Sequence, residues 1–150
     1  MKNSLVFDLD GTLVDTAPDL MSAHNHVMKK YGYKEKPLES IRHLAGRGAA
    51  AMLIKSIDAQ GNLVKNNPID QNTHQQMTND FIAYYRKNIS GHSTIRKNVI
   101  SLLEWCKEKS IICAVCTNKI EDLAIKLLKD IKLYKYFDFI AGADTFEYRK

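Results

Sequence analysis

Leu5-Val6-Phe7 is short, apolar and β-prone, and it runs straight into Asp8-Leu9-Asp10-Gly11-Thr12. A buried strand that ends in acids and a glycine is the pattern of a parallel α/β sheet. Ligands of such sheets bind at the carboxyl ends of the strands. The expectation is therefore an α/β fold with its chemistry at the end of the first strand.

The next stretch does not continue that pattern. Residues 16–31 read as a helix, with Thr16 as cap, Pro18 in the first turn and Asp19 near the positive end. Leu20, Ala23, Val27, Met28 and Tyr31 recur at helical spacing, and Gly32 stops the run. Leu38, Ile41 and Leu44 share one face of a second helical stretch, which Gly46-Arg47-Gly48 breaks before helix resumes over 49–57. Residues 61–68 read as a polar loop. Residues 72–88 read as a longer helix, with Met77, Phe81, Tyr84 and Tyr85 inward. The α/β pattern then returns. Val99, Leu102, Leu103 and Cys106 mark an amphipathic helix. Residues 111–116 form a continuous apolar run, a buried strand that ends in Thr117-Asn118-Lys119. Leu123, Leu127, Leu128 and Ile131 mark a helix, and residues 137–141 a third strand left by Gly142-Ala143-Asp144-Thr145.

Composition excludes several classes. At 45% hydrophobic and 26% charged, the 150 residues match a globular average rather than a disordered or low-complexity chain. No apolar run approaches the roughly 20 residues of a membrane helix, so no membrane partner is expected. The opening Met1–Asp8 has no long apolar region and does not read as a signal peptide. Three cysteines make no paired disulfide framework, so the expected compartment is the reducing cytoplasm. The net charge of +5 is spread out. The densest group, Lys29, Lys30, Lys34 and Lys36, is interrupted by Tyr31, Gly32, Tyr33 and Glu35, which disfavours a nucleic-acid surface.

Asp8 and Asp10, two apart after a strand, project the same way. Like charges so placed repel unless a cation or a shared proton compensates. Oxygen-only ligands suit Mg²⁺. With the Thr117 hydroxyl and the Lys150 ammonium at other strand ends, the set suits a phosphate, toward which an Asp can act as covalent nucleophile. The bland alternative is a turn, since Asp-Gly-Thr is common turn chemistry. Cys113 and Cys116 form a C-x-x-C, but an odd spacing on a strand sends them to opposite faces and suggests structural cysteines. His24 and His26 fall on different faces of one helix and make no metal site.

Residues Phe7–Thr16 resemble the first motif of the haloacid dehalogenase superfamily of phosphohydrolases. Val115–Lys119 resembles the second motif. Tyr136–Asp138 and Gly142–Thr145, ending in Arg149-Lys150, resemble the approach to the third-motif lysine. Ala17-Pro18-Asp19-Leu20 and Gly46-Arg47-Gly48 look most like phosphoglycolate phosphatases. The resemblance implies Asp8 as the nucleophile and Asp10 as the acid and base. It implies Thr117, Asn118, Gly11 and Thr12 around the phosphoryl group and Lys150 as its counter-charge. It implies Mg²⁺ held by an Asp8 oxygen and the Asp10 main-chain carbonyl, and a small phosphorylated substrate. Arg47 becomes a candidate contact for that substrate. It also implies a Rossmann-like parallel sheet core over 1–14 and 91–150, with an all-helical cap inserted over 15–90.

The chain also departs from the family pattern. A fourth motif, acids after a further strand, does not occur before Lys150, and Asp144 and Glu147 precede the lysine. The expected core is thus incomplete, with its C-terminal strands missing. Leu5, Val6 and Phe7 are expected on an exposed apolar edge that invites pairing. The 150 residues are expected to hydrolyse phosphate esters poorly, as a silent remnant or as half of a split enzyme whose partner chain supplies the missing strands. Asn98 stands where relatives commonly carry glycine, and asparagine tolerates the left-handed backbone needed there.

Overall fold

The computed structural model describes residues 3–42, 48–58 and 69–147. Three parallel strands form the main sheet: β1 (Ser4–Phe7), β4 (Ile112–Cys116) and β5 (Phe139–Ala141), in the order β1-β4-β5. The register sets Val6 beside Ala114 and Phe7 beside Val115, then Ala114 beside Phe139 and Val115 beside Ile140. Between β1 and β4 lie β2 (Val14–Asp15), α1 (Ala17–Lys30), α2 (Leu38–Arg42), α3 (Ala49–Asp58), α4 (Gln71–Lys87), β3 (Thr94–Ile95) and α5 (Val99–Glu108). Helix α6 (Glu121–Asp130) and a short turn of tighter helix (Tyr134–Tyr136) join β4 to β5.

The helical insertion, α1 to α4, begins and ends at a small sheet that the sequence does not announce. β2 and β3 pair antiparallel, Val14 with Ile95 and Asp15 with Thr94. Asp15 also holds Arg42 at 2.8 Å, which lowers its carboxyl pKa below the ordinary range. Within the insertion, α1 packs on α4. His26 stacks on Tyr84 at 4.1 Å, and Asp80 accepts hydrogen bonds from Lys30 and Tyr31. Val27, Met28, Met52, Leu53, Met77 and Phe81 fill the space between helices. Each fully buried side chain of this size contributes about 1.5–3 kcal/mol.

Two expectations are corrected. Thr16 makes no side-chain cap on α1, because its hydroxyl turns to Asp10 instead. The run over 111–116 is not a strand buried on both faces. Its exposure alternates, with Cys113 and Val115 buried and Ile112 exposed, and Leu102 on α5 is likewise exposed. The stretch that holds Leu44 and Gly46, and the loop over 61–68, lie outside the described residues. Asn98 adopts the expected left-handed conformation, φ 67°, at the start of α5.

Candidate active site

β1 delivers Asp8 at its carboxyl end, half-buried, and the chain then folds into a tight turn. The turn is organised by the Leu9 carbonyl, which accepts from the amides of Thr12, Leu13 and Val14. Leu9 and Leu13 anchor it in the core, and Gly11 takes the left-handed φ of +83° that the reversal requires. The Arg96 guanidinium, arriving from the return strand, donates to the Gly11 carbonyl at 3.1 Å. Thr12 is exposed at the tip of this turn.

Neighbouring β4 delivers Thr117 and Asn118 at its own carboxyl end. Thr117 is almost wholly buried; its amide donates to Ala141 and its hydroxyl oxygen accepts from the Lys119 amide at 3.2 Å. A hydroxyl that is already accepting keeps its proton to donate, which suits an anionic oxygen. Asn118 lines the adjoining cleft. The β5 end closes the floor. A Cβ on Gly142 would collide with the Glu121 backbone and lie 2.7 Å from the Lys119 carbonyl, so only glycine fits. Asp144 accepts from the Glu121 amide at 2.8 Å and so caps α6.

Lys119 and Tyr85 were not legible as site residues. The Lys119 ammonium lies 3.1 Å from Asp10 Oδ1, with both side chains about 5% exposed or less. Tyr85, on α4, receives a hydrogen bond from Lys119 at 2.9 Å, and its ring centroid is 4.4 Å from the ammonium. Burial opposes the Lys119 charge, but the Asp10 carboxylate and the Tyr85 hydroxyl together outweigh it and hold the pKa above the ordinary lysine value. Burial pushes the Tyr85 phenol up to about 12. Thr16 adds a 2.6 Å hydrogen bond to the same Asp10 Oδ1.

A cavity of about 50 Å³, room for a few waters, opens between insertion and sheet. Asp10, Gly48, Met52, Phe81, Tyr85 and Asn118 line it. Gly48 has φ +82°, and a Cβ there would sit 3.7 Å from the Asn118 carbonyl, so the insertion touches the strand ends at this point. Arg47 and Lys150 lie outside the described residues. For a cation, the Asp8 carboxylate and the Asp10 main-chain carbonyl offer hard oxygens, which fit Mg²⁺ and do not fit a soft metal. No cluster of three or more His, Cys, Asp or Glu occurs among the described residues.

Residues 5–150 match the family model for haloacid dehalogenase-like hydrolases. Among curated relatives, the phosphoglycolate phosphatase of Agrobacterium fabrum is 37% identical over 145 residues, covering 97% of this chain and 60% of that protein. The phosphoglycolate phosphatase of Caulobacter vibrioides is 35% identical, covering 94% of this chain and 57% of its own length. Among solved structures, a predicted phosphoglycolate phosphatase from Haemophilus somnus superposes with a TM-score of 0.90 at 25% identity, covering 99% of this chain and 66% of that one. The chain thus spans about three fifths of the curated relatives it matches. Its strand-end acids, its helical insertion after the first strand and a family match over nearly every residue agree: the chain belongs to the haloacid dehalogenase-like hydrolases.

Proposed function

We propose that this site hydrolyses a small phosphate monoester, 2-phosphoglycolate above others, through a phosphoryl group carried on Asp8. The observation that carries the reading is the convergence of Asp8 and Asp10 with Thr117 at the carboxyl ends of two hydrogen-bonded parallel strands. The relatives' shared name supports the substrate. An Asp8 oxygen attacks phosphorus, the bond from phosphorus to the ester oxygen breaks, and Asp10 gives that oxygen a proton. Water then attacks the phosphorylated Asp8, Asp10 takes the water's proton, and the Asp8–phosphorus bond breaks to release phosphate. Thr117 and the Asn118 amide hold a phosphoryl oxygen, with Gly11 and Thr12 beside it and Lys150 as counter-charge. Mg²⁺, held by Asp8 and the Asp10 carbonyl, supplies positive charge against the phosphate when bound.

In this reading the sheet and its helices, over 1–14 and 91–150, are the core, and the insertion over 15–90 is a cap that excludes water. Arg47 precedes cavity-lining Gly48 and meets the substrate's second negative charge. Asp8→Asn keeps the shape and removes the anionic nucleophile, so turnover falls by about ten-thousandfold. Near-normal turnover by that variant sinks the assignment. Arg47→Ala raises KM for a carboxylated substrate by about tenfold and leaves an uncharged phosphate ester nearly unaffected. Equal effects on both substrates reject the role.

A second reading, that these 150 residues alone are catalytically silent and work with a chain supplying further core strands, is favoured by one observation. β1 is at a sheet edge among the described residues, with Val6 67% exposed. The 150-residue chain is assayed with Mg²⁺ and phosphoglycolate, beside a version extended with the relatives' remaining segment. Comparable turnover by both rejects this second reading.

A further inference from the structure

The acid and base assigned above has an asymmetric environment. Among the described residues, the two groups that touch the Asp10 carboxylate, the Lys119 ammonium and the Thr16 hydroxyl, sit on Oδ1. Oδ2 receives no hydrogen bond from the described residues. Oδ1 is thus occupied by a cation and a hydroxyl, and the clamp leaves Oδ2 as the oxygen open to a reacting group. The clamp is only as firm as its lysine. An ammonium has three protons and, when buried, holds a fixed place only if they are satisfied. Asp10 takes one and the Tyr85 hydroxyl a second. Asp10 and Lys119 follow sheet strands, whereas Tyr85 belongs to α4 in the insertion, and it is 1% exposed.

We propose that Tyr85 is a positioning residue: its hydroxyl, brought by the helical insertion, pins Lys119 onto Asp10 Oδ1 and so aims Oδ2 at the reacting group. The inference rests on the role given to Asp10 above. It makes the seating of the insertion on the sheet part of what renders Asp10 competent, through one hydrogen bond. Phenylalanine at this position keeps the ring under the ammonium and removes only the hydroxyl.

The test is Tyr85→Phe, read in two ways beside Asp10→Asn. In nitrogen-15 NMR of the 150-residue chain, the buried Lys119 ammonium gives a slowly exchanging signal, assigned by its loss in Lys119→Met. Tyr85→Phe broadens that signal into exchange with water, while the melting midpoint moves by no more than a few degrees. In the assay with Mg²⁺ and phosphoglycolate, on the more active of the 150-residue chain and its extended version, kcat falls about tenfold and KM stays within twofold. An ammonium signal that survives Tyr85→Phe, or a kcat that does not fall, overturns the inference, as does a loss that appears only as a lower melting midpoint. Full turnover by Asp10→Asn instead overturns the underlying role of Asp10, which distinguishes the two failures.

Discussion

The two faces of the β1-β4-β5 sheet are both apolar in sequence but differ in fate. On one face, the row Phe7, Val115 and Ile140 faces α5 and α6, and Val115 is completely buried among Leu103, Leu127 and Leu128. On the other, the row Val6, Ala114 and Phe139 faces outward, with Val6 67% and Phe139 52% exposed. Phe146 packs near Phe139, ring centroids 6.3 Å apart, and is itself exposed. A strand composition suited to burial on both sides is that of a parallel sheet with helices on both faces. Both helices that connect these strands, α5 and α6, lie on one side, so chain topology rather than composition decides which face is dry. Apolar character in a strand therefore states what a face is fit for, not whether it is covered.

Three experiments break or sharpen that contrast. Val115→Asp puts an unpartnered charge in the dry face; it costs more than about 4 kcal/mol and abolishes cooperative unfolding by circular dichroism. A well-folded variant would show that this face is wetter than its burial implies. The cysteines give the next largest effect. Cys113 lies on the dry face, where burial, then neighbouring Cys106, pushes its thiol up to about 11. At pH 8 about one Cys113 in a thousand is then thiolate. Cys116, one register pair from Ala114 on the opposite face, is half-buried. A thiol reagent at pH 8 should label Cys116 at least a hundredfold faster than Cys113. Raising the pH toward 11 should narrow the gap as Cys113 ionises. Mass spectrometry of the labelled peptides reads the ratio, and equal rates would contradict the contrast. The smallest effect is expected on the open face. Val6→Lys and Phe139→Lys should each change unfolding free energy by no more than about 0.5 kcal/mol while reducing self-association in analytical ultracentrifugation. A loss comparable to that of Val115→Asp would mean that this face is covered in solution.

Local features were the readable ones. Asn98 is left-handed because the turn into α5 requires it, and asparagine there signals as much. The opposite faces of Cys113 and Cys116 follow from a period of two. The helices of the insertion fall close to their expected places because their apolar spacing is regular. Features that depend on distant partners were hidden. Lys119 reads only as the last of the polar residues that end a strand and a motif, and nothing nearby announces Asp10 or Tyr85, which arrive from a different strand and a different helix. Thr16 looks like a helix cap because its alternative acceptor, Asp10, becomes available only when the turn at Gly11 closes. Asp19 reads as a helix-dipole residue. It is in fact buried, accepting from the amides of His92 and Ser93 and from the Ser93 hydroxyl. Two-residue β2 and β3 are too short to show a period.

The pairing of β2 with β3 sets the entrance and exit of the helical insertion side by side, Asp15 against Thr94. Strands so paired run about 4.8 Å apart, a gap that a two-residue hairpin turn spans. The insertion is therefore attached like a drawer on a single pair of rails. Its helices can be lengthened or exchanged while the chain still leaves and re-enters the sheet at one place, provided that the two rails stay paired. Asp19 is the latch on the return side, tying the first helix of the drawer to the chain as it re-enters the sheet. A lineage of such proteins can therefore refit the drawer while the two rails stay where they are.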